Sequence, residues 1–363
     1  VNVSGGLSPR FGLGGMSLRG DPFGRHRVIE PKGKLPQPAW KLDNDTSKLY
    51  DNEILIDVIR LNVDAASFAQ IKAEVGADEQ KVAEKIMQSV QQRGKLHNPV
   101  TGSGGMLIGK VKAVGKDLNV DVKVGDKIAT LVSLSLTPLN LKRIKKVYLE
   151  KDQVDVEGEA ILFETGVFAR LPEDMPESVA LAVLDVAGAP IQTARLVSPS
   201  DLVLVIGAGG KSGVLCSYVA KKYAGPTGRV VALVHSERSI EQLRKLGFVD
   251  EVFVSDAQDA VSSYEKFVQI TNKRLADVVI NVVNVPDTEM TSILCARERG
   301  KIYFFFSMAT SFTKAALGAE GIGKDVDMII GNGYAKHHAE FALQIVRENE
   351  KLYQHFLERY GER

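Results

Sequence analysis

The sequence is poor in cysteine. Its 363 residues hold two, Cys216 and Cys295, both inside apolar periodic stretches and with no CxxC pair or histidine spacing around either that would hold a structural metal. Such usage fits a reducing cytoplasm. No sign of charge dominates either: 46 Lys+Arg against 45 Asp+Glu leave a formal net charge of +1. That balance offers no basic stripe for nucleic acid and no bulk attraction to an anionic membrane. The longest apolar runs are of strand length, far below the ~20 residues that cross a bilayer, so no membrane partner is expected. The first twenty residues, VNVSGGLSPRFGLGGMSLRG, lack the continuous apolar core of a secretory signal and read as a loose arm or a foreign remnant. No internal repeat is present, and no low-complexity segment beyond that arm.

What remains is the composition of an ordinary globular protein, 44% hydrophobic and 25% charged, long enough for two domains. Residues 1–50 read as an extended arm, punctuated by Pro22, Pro31, Pro36 and Pro38. Residues 51–172 open with an alternating strand (NEILIDVIRL, 52–61), followed by helical spacing from Phe68 to Gln92. Short strands broken by glycine turns come next, around Gly104–Gly115 and Val124–Ala129, and suggest a barrel-like β domain. From residue 173 the rhythm changes. An apolar helix from Glu177 to Leu196 leads into alternating strands and helices, and the chain closes on a long helix from about His337 to Tyr360. Strands apolar on both faces and separated by helices argue for a doubly wound parallel sheet over 173–363.

The strongest local signal is LVLVIGAGGKSG, residues 202–213: a buried strand, a glycine loop and a helix start. Glycines let the backbone approach a pyrophosphate, which rests on the positive helix terminus. Gly207, Gly209 and Gly213 exceed the GxGxxG spacing by one residue, whereas Gly207, Gly210 and Gly213 form GxxGxxG. A purely structural turn is the bland alternative. With Lys211 and Ser212, these glycines are the candidate cofactor-binding loop. The acid that would accept the adenosine ribose is missing from the end of the second strand, where the chain reads Val234-His235-Ser236-Glu237-Arg238. His235 could stack near adenine or reach a phosphate, and Arg238, with Ser236, tolerates a 2′-phosphate unless it is merely solvated. NAD or NADP is therefore the expected cofactor.

The barrel-like segment, the fingerprint, ADVVIN (276–281) and GKIYFF (300–305) together resemble the medium-chain dehydrogenase/reductase superfamily over about residues 52–351. DPFGRHRVIEPKGKLPQPAWKLDN (21–44) and KLYDNEILIDVIRLNVDAASF (48–68) resemble, more closely, the L-erythro-3,5-diaminohexanoate dehydrogenase family, over nearly the whole chain. The resemblance implies an α/β architecture of a GroES-like β-barrel domain plus a Rossmann domain, with the cofactor in the cleft between them and Asn281 on its cofactor side. It implies oxidative deamination of a diamino acid at C3 to 5-amino-3-oxohexanoate and ammonia, as in lysine fermentation, with hydride passing to NAD(P). A homodimer is the superfamily's default. A zinc-free quinone or enoyl reductase of the same superfamily is the alternative.

Relative to that superfamily the zinc ligands are absent: their places read Asp64, Gly105-Met106 and approximately Asp185, so no catalytic metal is expected. The two carboxylates become the candidate catalytic residues. Asp64 follows a strand and serves equally well as a helix N-cap. Asp185 stands in VLDVAG, where an acid inside an apolar helix is costly unless paired or beside a cavity. Arg25 or Lys110 is a candidate for the substrate carboxylate, whereas His26 and His337-His338 read as surface residues.

Overall fold

A computed structural model describes residues 17–361 except 100, 101, 103, 307 and 308. The chain divides into two compact units, Val1–Leu171 and Pro172–Arg363.

The first unit runs β1 (Val28–Glu30), β2 (Lys41–Leu42), β3 (Glu53–Asn62), α1 (Ala65–Val75), α2 (Glu79–Arg93), β4 (Met106–Val114), β5 (Lys127–Thr130), β6 (Leu139–Tyr148), β7 (Gln153–Phe163) and β8 (Phe168–Arg170). Six of these strands form an antiparallel sheet in the order β6-β7-β3-β4-β5-β8. Ile54, Ile56 and Val58 of β3 enter the core at every second position. The register then slips between Val58 and Arg60 against both neighbours, and the next core residue is Leu61. A bulge at that point moves the inward face to the other parity. The helical spacing over 68–92 resolves into two helices, because Gly76 (φ +81°) ends α1 and Asp78 caps α2 through the Lys81 N–H at 2.9 Å. The hairpin β6–β7 had no counterpart in the sequence pattern. Its register shifts twice, which blurs the period of two that marks a strand.

The segment before β3 is held down by a buried charge cluster. Arg27, wholly buried, grips both oxygens of the equally buried Glu53 at 2.6 and 2.7 Å and donates to the carbonyls of Asp45 and Lys48. His26, expected on the surface, instead meets Glu53 Oε1 at 2.7 Å. Burial alone would raise the Glu53 carboxyl, but the Arg27 and His26 hydrogen bonds outweigh it and hold it at about 2.

The second unit runs α3 (Glu177–Leu184), α4 (Gly188–Leu196), β9 (Leu202–Ile206), α5 (Lys211–Ala224), β10 (Arg229–Val234), α6 (Glu237–Leu246), β11 (Glu251–Val254), α7 (Ala260–Ile270), β12 (Ala276–Asn281), α8 (Glu289–Cys295), β13 (Ala296–Phe304), α9 (Phe312–Gly321), β14 (Asp327–Ile330), α10 (His338–Glu348) and α11 (Glu350–Tyr360). Its six strands are all parallel, in the order β11-β10-β9-β12-β13-β14. Counted from β9, that is the 3-2-1-4-5-6 order of a Rossmann sheet, with the strand order reversing between β9 and β12. All five residues of β9 are buried, as a strand covered on both faces requires.

Two expected helices are broken. The Glu177–Leu196 helix is a pair bent by 50°. Pro190 sits in the first turn of α4, where its missing N–H costs nothing; a continuous helix would have lost that bond. The last helix divides at Asn349, whose side chain accepts from the Leu352 N–H at 3.0 Å and so starts α11. His338, expected to face solvent, is buried. Both cysteine thiols are buried, and burial pushes each up to about 12. Among the described residues no single helix is long and apolar enough to cross a membrane.

Candidate active site

A cavity of about 680 Å³ opens in the second unit where the parallel strands end. The residues following β9 (Gly207, Gly210, Lys211, Ser212), β10 (His235), β11 (Ser255 to Gln258), β12 (Val282 to Val285) and β13 (Phe306) line it, together with Asp185 and Val186. Apart from Asp185 and Val186 these lie past carboxyl ends, and the cavity spans the point where the strand order reverses. Its volume is that of a small-molecule or cofactor site.

The glycine loop is built for close approach. Gly207 has φ +85°, and a Cβ there would fall 2.7 Å from Val283 Cγ2. A Cβ on Gly213 would fall 2.1 Å from the Gly207 carbonyl oxygen, so this glycine lets α5 pack onto the loop. Gly210 differs: its nearest neighbour would be 3.7 Å away, and its bare backbone faces the cavity. Gly210 is also the N-cap of α5 and supplies no capping side chain, which leaves first-turn N–H groups for an anion. Gly209 turns toward α6, where Gln242 Nε2 donates to its carbonyl at 3.2 Å.

Lys211, the first residue of α5, places its ammonium 2.7 Å from Asp185 Oδ2 and 5.7 Å from the Tyr360 ring centroid. Asp185 does not lie inside an apolar helix, as the sequence suggested. It closes α3 at the bend, with its side chain 51% exposed and its charge paired.

The other expected site residues are dispersed. Asp64 is the N-cap of α1, accepting the Ser67 N–H at 2.9 Å on one oxygen and the Ser67 hydroxyl on the other. Asn281 is buried at the end of β12. Its amide donates to Thr288 and Ser292, both at 2.9 Å, and its carbonyl accepts the Val283 N–H at 3.1 Å. It therefore braces the loop that lines the cavity rather than lining it. Ser236 and Arg238 are exposed at the start of α6, outside the lining. Arg25, paired with Asp21 at 2.5 Å, and Lys110 are exposed residues of the first unit. Sequence reasoning passed over Asp256, Gln258, Asn284 and Phe306; their signal was position, each just past the end of β11, β12 or β13. No three His, Cys, Asp or Glu side chains among the described residues form a metal-sized group.

Comparison with known proteins decides the family. The L-erythro-3,5-diaminohexanoate dehydrogenase N-terminal domain family matches residues 26–172. A curated L-erythro-3,5-diaminohexanoate dehydrogenase of Acetoanaerobium sticklandii is 59% identical over 92% of this chain and 97% of its own length. The chain belongs to the L-erythro-3,5-diaminohexanoate dehydrogenase family. A second member, from Fusobacterium nucleatum, is 52% identical over 94% of this chain and 99% of its own. At the level of fold the chain resembles Pseudomonas syringae quinone oxidoreductase, with TM-score 0.53 and 17% identity over 87% of this chain and 83% of that one. Escherichia coli quinone oxidoreductase complexed with NADPH gives 0.52 at 15% identity, covering 83% and 80%. An alcohol dehydrogenase of Thermus sp. gives 0.50 at 17%, covering 90% of each chain. The chain thus shares the fold of these oxidoreductases, a GroES-like unit followed by a Rossmann unit.

Proposed function

We propose that the chain oxidatively deaminates L-erythro-3,5-diaminohexanoate at C3, giving 5-amino-3-oxohexanoate and ammonia with NAD(P) as hydride acceptor. The observation that carries this reading is near-full-length identity of 59% to a dehydrogenase named for that substrate. The quinone or enoyl reductase alternative is not favoured, since the proteins that suggest it are at most 17% identical among those compared above.

The residues present fit a dinucleotide. First-turn N–H groups of α5 and the ammonium of Lys211 would take the pyrophosphate, over the bare backbone of Gly210. His235 and Ser236 would flank the adenosine half, and Asn281 would keep the β12 loop in shape. When bound, the dinucleotide supplies the acceptor for the C3 hydride. Everything else falls to protein and water. An ammonium has no lone pair to push, so a base must take a proton before hydride leaves, and water must then hydrolyse the imine. We assign Asp185 to the amine, as base or anchor, with Asp64 as a second anionic group retaining its cap. No catalytic metal takes part. We further place the enzyme in the cytoplasm as a homodimer acting on a small diamino acid, with neither nucleic acid nor membrane as partner; the balanced net charge of +1 supports the last point alone.

Cofactor reduction tests the reading. Adding 3,5-diaminohexanoate with NAD or NADP should produce the reduced nicotinamide and one ammonia per turnover, while enones and acyl-CoAs leave reduced cofactor unconsumed. Turnover of an enone without turnover of the diamine would overturn it.

A further inference from the structure

A second concavity of the Rossmann unit, about 500 Å³, lies between α6 and α11. Arg238, Gln242 and Lys245 line it from α6, and Lys351, His355 and Arg359 from α11, with the carboxylates of Glu241, Glu350 and Glu358. Four permanent cations thus meet three carboxylates, one of which, Glu350, accepts from Gln354 at 2.8 Å. Arg238 and Gln242 are four residues apart on α6, as are His355 and Arg359 on α11, so each pair shares a helix face. Arg359 Nη1 donates to Gln242 Oε1 at 3.1 Å, and Gln242 in turn holds the Gly209 carbonyl at 3.2 Å. Arg359 is therefore one side chain from the glycine loop. Arg238 has no hydrogen-bond or ion-pair partner among the described residues. Burial lowers the His355 imidazole first, Arg359 and Lys245 lower it further, and Glu358 opposes them.

We propose that Arg359, carried on the C-terminal helix, joins Arg238 to bind the 2′-phosphate of NADP, so that this chain's cofactor choice is decided partly by α11. The inference rests on the dinucleotide reading of the glycine loop. In a Rossmann unit the adenosine ribose lies past the end of the second strand, here β10, and a carboxylate there would repel a 2′-phosphate. Val234 ends β10 and presents none. A phosphate monoester carries more charge than one guanidinium neutralises, and two forked donors from different helices match its oxygens better than one. Lys245 adds positive charge behind them without needing to touch the ligand.

Titrating the whole protein with NAD, NADP and adenosine 2′,5′-bisphosphate tests this. Wild type should bind all three. Arg359→Ala should weaken NADP and the bisphosphate by about tenfold and leave NAD within twofold. Gln242→Ala, which unbraces Gly209 as well as releasing Arg359, should weaken NAD along with NADP. Equal losses for NAD and NADP in Arg359→Ala would make Arg359 a brace of the loop and overturn the proposal, as would no loss at all. If Arg359→Ala melts early, Arg359→Gln and Arg238→Ala carry the same comparison. Wild type that binds NAD but not NADP would sink this inference and leave the dinucleotide reading standing; wild type that binds neither would sink both.

Discussion

The ammonium of Lys211 sits 2.7 Å from Asp185 Oδ2 and ties the bend between α3 and α4 to the first residue of α5. The side chains are 25% and 51% exposed, so this pair contributes at most about 1 kcal/mol to stability. Its significance is chemical. Both groups line the same cavity, and a bound pyrophosphate would draw on the same ammonium that now neutralises Asp185. Asp185→Asn, which keeps size and loses charge, should lower kcat/KM for the diamine by roughly 10²-fold or more. NAD(P) affinity should change little, because the loop from Gly207 to Gly213 holds the nucleotide. Lys211→Met should do the reverse and weaken the dinucleotide most. Steady-state rates and binding titrations separate the two; near-parent turnover in Asp185→Asn would remove this residue from the chemistry.

The glycines of the loop should divide by experiment as they do by geometry. A Cβ at Gly210 meets nothing in the protein closer than 3.7 Å, so in Gly210→Val circular dichroism and Tm should be those of the parent while dinucleotide affinity collapses. Gly213→Ala drives a Cβ to 2.1 Å from a backbone oxygen and should lower Tm as well. If Gly210→Val binds NAD(P) normally, the loop serves packing alone.

Asp64 has one role on view and one proposed. Asp64→Ala removes the cap on α1 and should cost about 1 kcal/mol in a denaturant melt, whereas Asp64→Asn keeps an acceptor for Ser67 and should not. If the carboxylate also serves the substrate amines, Asp64→Asn should still lose about tenfold in kcat/KM. The same active preparations should contain substoichiometric zinc and keep their rate under a chelator; one zinc per chain, lost together with activity, would contradict the metal-free reading.

Acid should loosen the segment before β3. Glu53 is held at about 2 in the fold against an ordinary 4.5, so its contribution is complete above about pH 4.5 and is lost as pH falls toward 2. The shift corresponds to roughly 3 kcal/mol. Glu53→Gln strands the buried Arg27 guanidinium, and should lower stability at neutral pH by about that much while flattening the acid limb of a Tm against pH curve. A variant with the parent's acid limb would mean that another group governs it.

Parts of this protein were legible in the chain because their causes are local. The β9 strand is five apolar residues in a row, the loop after it is glycine at the positions where backbone must be bare, and both signals survive without knowledge of any neighbour. The alternation of strand and helix beyond residue 172 likewise implied a parallel sheet, since parallel neighbours need a crossover between them. Asp64 could be read as a cap from the residues that follow it.

Other features depended on contacts far apart in sequence. The break at Asp185 follows from a proline five residues on and from packing that accepts the bend, and it converts an acid expected in an apolar helix into an exposed partner for Lys211. Asn281 looked like a cofactor residue by position, and only the buried hydroxyls of Thr288 and Ser292 show that its amide is spent on the loop. His26 and Arg27 could not be matched with Glu53, 27 and 26 residues away, because charge in a sequence carries no address. Nor could α11 be tied to the glycine loop: Arg359 lies 117 residues from Gln242. Sequence alone determined the elements and the loop that repeat a local rule; the tertiary structure decided which buried or charged side chains are partners, because pairing is set by three-dimensional proximity and by the cost of leaving a desolvated charge alone.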